Sequence, residues 1–407
     1  MIFAVFFVVT CVKASDYTEF KPKCFIQHHS PVNWTADCSY TRITRLPADM
    51  KGFPVTEIIL RHNHLNSSIS FHNWTHLRRV DLSCNVIGVV TNSMFSEFTE
   101  LARLNLSSND LRSISGEHFV NKLYVESLDL SHNTQLTPHE HFFDDLQKVI
   151  DRGMKRLSLR GINLKWLPEN YFERSYELKV LDLSQNQLKT VSSFPTSLSQ
   201  LDISDNLFTR LTFTQFRDCV NLEVLIVENN PFLTDIPEDS FYCARKLAKV
   251  SLRGNLNLSG IPEGLFVNVP LKYLSLADCG FRTLSTAFRV TFDRLQYIDL
   301  RNNPWECNNN LKWFLELETN VNDDRLRCNN TDTSFAEYYE TALDHGFLQD
   351  ILFVLMCVIA TLFGMSIWIV YSSEFRTKVK NLYSPLDSVT NTSQPVYVST
   401  VRSTSHS

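Results

Sequence analysis

Leu178-Lys179-Val180-Leu181-Asp182-Leu183-Ser184-Gln185-Asn186-Gln187-Leu188 decides the architecture of this chain. Leu stands at the first, fourth, sixth and eleventh places of the phrase, and Asn at the ninth. The phrase returns at Leu77–Ile87, Leu101–Leu111, Leu198–Phe208, Leu222–Phe232, Leu271–Phe281 and Leu295–Trp305. With weaker copies counted there are eleven. Their ninth place is Asn63, Asn85, Asn109, Asn133, Ile162, Asn186, Asn206, Asn230, Asn255, Cys279 and Asn303. These slots lie 20 to 29 residues apart, a period that signals a solenoid whose units pack only on their neighbours.

In each L-x-L the Leu side chains alternate with residues facing the other way, so the triplets predict short strands that stack side by side. An Asn carries donors and an acceptor for backbone groups left bare where the chain turns out of the strand. A second apolar column follows that slot by ten or eleven residues, at Phe95, Phe119, Phe143, Phe172, Phe216, Phe241 and Phe266. It helps explain the unusual content of 29 Phe. Ile162 and Cys279 cannot do all the work of an amide. The longest interval holds an insertion read as a capped helix, with Thr137 as N-cap, Pro138 in the first turn, Glu140 three residues on and Gly153 as the stop. Phe142, Phe143, Leu146, Val149 and Ile150 give it an apolar face for the convex side.

The spacing is that of leucine-rich repeats, and the ends of the array narrow the family. Asp37-Cys38-Ser39 through Leu46-Pro47 precedes the first repeat. Asn303-Pro304-Trp305-Glu306-Cys307 and Leu311-Lys312-Trp313-Phe314 close the last. These stretches resemble the Cys-containing caps of extracellular leucine-rich-repeat proteins, among them Slit-like, Toll-like and neuronal adhesion receptors. The resemblance covers about residues 24–330. It implies an α/β solenoid, a horseshoe with a parallel sheet on its concave face, and a role in binding proteins at cell surfaces. It also implies a cap disulfide Cys24–Cys38 and a second, Cys307–Cys328. The family's C-terminal cap usually has four Cys; here Asn309 stands where one is expected, and no fourth follows Cys328.

Hydrophobic signals flank the array. Residues 1–14 read as a signal peptide, with an apolar run too short to span a bilayer. Residues 351–370 carry no formal charge and match the thickness of a hydrocarbon core. No Lys or Arg occurs in residues 331–350, whereas Arg376, Lys378 and Lys380 follow the segment, which places the N-terminal part outside. The expected order is N-terminal cap 15–54, repeats 55–302, C-terminal cap 303–330, juxtamembrane linker 331–350, transmembrane helix 351–370 and a disordered cytoplasmic tail 371–407. In the tail, Tyr383-Ser384-Pro385-Leu386 resembles a Y-x-x-Φ sorting signal, whose partner would be an endocytic adaptor, through Tyr383 and Leu386.

Composition argues against several functions. With 39 Lys and Arg against 44 Asp and Glu, the net charge is -5, so no basic footprint for nucleic acid is present. Only 11 Gly occur, fewer than half the usual share of about 7%, which suits phosphate-cradling loops poorly. No nucleophile elbow, P-loop, H-E-x-x-H or C-x-x-C motif occurs, and neither an enzyme nor a cofactor is expected. Asp81, Asp129, Asp182, Asp202 and Asp299 form a column that resembles a cation site, but L-D-L-S is a habitual strand filler in this family. The clustered His residues read as solvated surface groups rather than a zinc site.

Among the remaining cysteines, Cys219 and Cys243 hold the same place in adjacent repeats. They are read either as a disulfide or as two buried thiols acting as small hydrophobes. Cys84 has no evident partner and is expected to be a free thiol. Sequons outside the membrane are Asn33, Asn66, Asn73, Asn105, Asn257 and Asn329, and a glycan on Asn105 would stand on the concave face. The expected ligand is an extracellular protein bound on the later repeats. There Tyr273 and Tyr297 are neighbours, in a surface completed by Val224, Lys272, Gln296 and Arg301. The other reading is an innate-immune accessory receptor for microbial or lipid ligands, without a signalling domain of its own.

Overall fold

Alternation of buried Leu with solvent-facing residues places a strand at each repeat in the computed structural model. The residues described are 24–30, 33–47, 54–72, 74–114, 124–317, 326–329, 333–341, 352–365 and 368. They fall in two compact units, 1–339 and 340–407. The first unit carries thirteen described strands in one sheet, ordered as in the chain. They are β1 Phe25–Ser30, β2 Asn33–Asp37, β3 Val55–Ile59, β4 Arg79–Asp81, β5 Arg103–Asn105, β6 Ser127–Asp129, β7 Arg156–Ser158, β8 Val180–Asp182, β9 Gln200–Asp202, β10 Val224–Ile226, β11 Lys249–Ser251, β12 Tyr273–Ser275 and β13 Tyr297–Asp299. Only β1 and β2 run antiparallel. From β2 onward each strand pairs in parallel with the next, as stacked turns of a solenoid require.

Two buried ladders hold the turns together. Asn186 shows the first: its Nδ2 donates to Leu183 O at 2.9 Å and Ser184 O at 3.1 Å in its own repeat, and to Leu159 O at 2.8 Å in the preceding one. Its Oδ1 accepts from Leu164 N at 2.9 Å. Asn63, Asn85, Asn109, Asn133, Asn206 and Asn303 repeat most of this set. Cys279 substitutes in part, donating its thiol to Leu252 O at 3.0 Å, while Ile162 contributes only an apolar side chain. The second ladder is aromatic: Phe194, Phe216, Phe241 and Phe266 follow one another at centroid separations of 5.6, 5.2 and 6.2 Å. Phe194 keeps the column continuous through the shortest repeat, and Phe119 lies outside the described residues.

The residue just before the Asn slot is left-handed in all eleven repeats, from His62 (φ 56°) to Asn302 (φ 56°), with Cys84, Gln185, Asp205 and Asp278 among them. Gly fills the place only at Gly161 and Gly254. Elsewhere the hydrogen bonds on either side enforce a conformation that costs an L-residue about 1 kcal/mol. Tyr40 (φ 58°) adopts it too, so the N-terminal cap already follows the repeat geometry.

The caps hold the pairs Cys24–Cys38 and Cys307–Cys328, with Cα separations of 4.2 and 5.5 Å. Cys219 and Cys243 are free thiols, the first buried and the second half-buried. Cys84 corrects the expectation of a free thiol, for it is disulfide-bonded. The C-terminal cap also runs past its expected end at residue 330. Phe335 stacks on Phe314 at 5.6 Å, and Tyr339 packs on Phe335 at 4.9 Å, with its hydroxyl donating to Asn308 O. Both rings are 3% exposed.

The insertion helix spans Glu140–Ile150, starting later than expected. His139, not Thr137, is its N-cap: the backbone there is extended, and Nδ1 accepts from Phe142 N at 3.3 Å. Its five expected apolar residues are buried, and Phe143 meets Trp166 and Tyr171.

In the second unit, residues 352–365 are helical with exposed apolar side chains. No described helix is long and apolar enough to cross a membrane. The signal segment 1–14, Asn73, and the tail with Tyr383 and Leu386 lie outside the described residues.

Candidate functional site

The parallel sheet presents its solvent-facing side chains in columns, because each strand stands in register with the next. The column that opens the strands reads Glu57, Arg79, Arg103, Ser127, Arg156, Val180, Gln200, Val224, Lys249, Tyr273 and Tyr297. Its early part is basic, with Arg79 3.8 Å from Glu57. Its late part is aromatic. Tyr273 and Tyr297 face one another across β12 and β13 and are 42% and 48% exposed, although both rings are large enough to repay burial.

Of the other expected surface residues, Lys272 and Gln296 are exposed and Val224 is half-buried. Arg301 departs from expectation. Its Nε and one terminal amine each donate to the Asp299 carboxylate at 2.7 Å, a bidentate pair. Burial opposes ionisation of Asp299, but Arg301 outweighs it and lowers the pKa. Arg301 therefore brings a neutralised pair to the surface, not a free cation. Beside it Arg253 donates to Asp278 at 2.7 Å, and Asn302 donates to the same carboxylate at 2.8 Å. This polar border escaped the sequence reading because its partners lie about one repeat apart in the chain.

The second column explains the recurring Asp. Asp81, Asp129, Asp182 and Asp202 each accept from the backbone N–H two residues on, at 2.9 Å. They close the turn that leaves the strand, and no described group of His, Cys, Asp and Glu is arranged to hold a metal ion. Asn105 plays the same part, accepting from Ser107 N at 2.9 Å. Its sequon is thus on the sheet among Arg79, Arg103 and Asp129, where a shallow cavity of about 270 Å³ lies. Asn33, Asn66, Asn257 and Asn329 are exposed.

Mid-array, burial raises the carboxyl pKa of Asp129 and pushes that of Asp202 up to about 6, with the Asp182 charge adding to both. Among the histidines, burial lowers the pKa of His62 and His132. Burial likewise pushes Cys219 up to about 12, which makes its thiol a poor nucleophile.

A parallel-sheet solenoid with an Asn ladder and disulfide-closed caps defines the class of architecture: the array is built of leucine-rich repeats. Leucine rich repeat models match residues 53–111, 75–134, 177–201 and 196–256. The chain is 28% identical over 193 residues to Toll-like receptor 9 of Mus musculus, covering 45% of this chain and 18% of the receptor. It is 25% identical over 181 residues to mouse leucine-rich repeat transmembrane protein FLRT2, covering 38% and 27%. It is 31% identical over 186 residues to Tsukushi of Gallus gallus, covering 44% and 47%. The chain thus spans less than half the length of these relatives. An internalin from Listeria monocytogenes shares the fold, with a TM-score of 0.52 at 17% identity over 68% of this chain and 76% of that one.

Proposed function

We propose that the protein is a cell-surface leucine-rich-repeat glycoprotein that binds an extracellular protein through the concave face of its later repeats. The observation that carries this is the exposed pair Tyr273 and Tyr297, in register on adjacent strands. Aromatic side chains dominate protein interfaces because they bury large area at modest entropy cost. Lys272, Gln296 and Val224 extend the patch, and the ion-paired Asp299–Arg301 forms a polar rim. A glycan on Asn105 would cover the early repeats and leave this end open.

The anchor in this reading is 351–370, supported by its lack of formal charge and by the exposed apolar side chains of helical residues 352–365. The basic residues beyond it put the array outside, with glycans on Asn33, Asn66, Asn73, Asn105, Asn257 and Asn329. Tyr383 and Leu386 would engage an endocytic adaptor inside. Likeness to a Toll-like receptor over 45% of the chain favours an accessory receptor for microbial or lipid ligands as the second reading.

The deciding experiment screens cells displaying the full chain against cell-surface ectodomains and, separately, lipid vesicles. Combined Tyr273→Ala and Tyr297→Ala should weaken binding of a captured ectodomain by about 2 kcal/mol or more, with surface display unchanged. Full affinity in the displayed variant would refute the concave-face site, and capture of vesicles alone would favour the second reading.

A further inference from the structure

The repeats that follow β10 and β11 leave the sheet by the same turn. In the first, Leu233 N donates to Asn230 O at 3.1 Å; in the second, Leu258 N donates to Asn255 O at 2.9 Å. Leu233 and Leu258 are both buried, so the residues between rung and buried Leu are matched, Pro231 with Leu256 and Phe232 with Asn257. Phe232 and Asn257 therefore stand side by side on the flank where the strands end, about 5 Å apart along the stack.

Phe232 is 54% exposed and Leu256 69%, whereas the described Phe residues of the convex column are buried. Single exposed apolar residues are ordinary, but these two adjoin the exposed Pro231 and make one patch across two turns. No side chain shades it from the next turn, where Gly280 lies so near that a Cβ there would meet Leu256 O at 2.7 Å. Asn257 stands within the patch and opens the sequon Asn257-Leu258-Ser259, with Asn257 and Ser259 both exposed. Its Nδ2 donates to Pro231 O at 2.6 Å. The atom that would carry a sugar is thus held against the carbonyl that precedes Phe232.

We propose that the glycan of Asn257 is seated on this patch, its first N-acetylglucosamine ring against Phe232 with Leu256 beside it. The seat rests on the extracellular reading above, which supplies the glycan. A β-linked N-acetylglucosamine has one face of axial C–H groups, and an aromatic face carries the partial negative charge that attracts them. Attachment replaces one Nδ2 hydrogen and leaves the other for Pro231 O, so the sugar and the bond between repeats coexist. A seated glycan closes this flank to protein partners and leaves the concave face open.

Full-length protein made in cells that install uniform high-mannose glycans, and held in detergent micelles, tests the seat. The native protein is digested with an endoglycosidase that cuts between the first and second sugars, and release at each sequon is followed by mass spectrometry of glycopeptides. The comparator is Asn66, whose place in the next turn is held by Gly88. Release at Asn257 should be about fivefold slower than at Asn66, as one ring contact would give. Phe232→Ala should raise Asn257 to the Asn66 rate without changing Asn66, and Phe232→Trp should keep Asn257 slow. Equal rates in the parent, or slow release at Asn257 in the Phe232→Ala protein, would overturn the proposal. Acceleration at every sequon would report unfolding and overturn it too. A dimer of the glycosylated protein that Phe232→Ala dissolves would give the patch to a second copy instead. Asn257 recovered bare while Asn66 carries a glycan would overturn the seat and leave the extracellular reading intact, whereas bare sequons throughout would overturn both.

Discussion

Tyr40 stacks on His62, with ring centroids 4.3 Å apart and planes 10° from parallel. Both residues are left-handed and occupy the place just before a rung of the ladder. The cap therefore acts as a zeroth repeat: Thr41 donates to Cys38 O and to Asn63 Oδ1 where an Asn would stand. Its hairpin covers the first core edge while keeping the register of the repeats stacked on it.

The ladder should be graded in strength. Asn186→Ala bares the carbonyl of Leu159 and the N–H groups of Leu164 and Ile162, at about 1–3 kcal/mol for each group left unsatisfied. A loss of about 3 kcal/mol or more is expected in urea unfolding. Cys279→Ala removes a single strong contact and should cost about 1–2 kcal/mol. Equal losses would contradict the graded ladder.

Asp202 gives the array a pH dependence. Its folded pKa is raised to about 6 by burial, above the unfolded carboxyl, so the folded state holds the proton more tightly. That contribution is complete below the unfolded pKa and is lost as pH rises through about 6. Asp202→Asn should therefore melt higher than the parent at pH 7.4, and the difference should vanish near pH 4. A difference independent of pH would show that ionisation is not the cause.

Phe335 and Tyr339 should be structural. Phe335→Ala opens a cavity against Phe314, worth about 3 kcal/mol or more. Cys307→Ser should cost about 3 kcal/mol through the released loop. An ectodomain ending at residue 330 should be secreted poorly, and one ending at 345 normally. Equal secretion of the two would return the cap to its shorter boundary.

Asn105→Asp keeps the acceptor for Ser107 N and removes the sequon, copying the residue found at Asp81 and Asp129. The protein should fold and reach the surface, with one N-glycosidase-sensitive shift fewer on gels. An unchanged ladder of glycoforms would mean that Asn105 is not modified. If no sequon variant alters mobility in glycosylating cells, the array is not extracellular.

Tyr383→Ala should slow uptake of surface-labelled protein severalfold. An unaltered rate would assign the four-residue match to chance.

Strands and ladder were legible because they repeat: a pattern seen in many copies averages out the exceptions in any one, whereas the two cap disulfides followed only from the resemblance of the caps to those of a known family. The exceptions themselves were not legible. The left-handed place before each rung holds His, Cys, Ser, Gln, Asp, Asn and Gly, so no residue type betrays it; neighbouring hydrogen bonds impose it. His139 displaced Thr137 as N-cap because an extended backbone and a ring nitrogen served as well as a hydroxyl. Phe335 and Tyr339 looked like linker, since their partners Phe314 and Asn308 lie beyond any local period. Tyr273 and Tyr297 were placed correctly by register, but Asp299 was read as strand filler in the Asp column, and its pairing with Arg301 was not foreseen.

Ile162 interrupts the chain of Asn rungs between the fourth and fifth repeats. Backbone pairing of β6 with β7 continues there, and the insertion helix joins Phe143 to Trp166 and Tyr171 just beyond. Ring contact, with two scattered hydrogen bonds from Tyr171 Oη to Phe143 O and from Asn163 Nδ2 to Thr134 O, has replaced the buried amide tie. Under tension the two fasteners differ, because a hydrogen bond fails over a few tenths of an ångström while packed rings slide before they part. If a bound partner pulls on one end of the array and a membrane holds the other, this joint yields first and most gradually, a shock absorber between two stiffer spans.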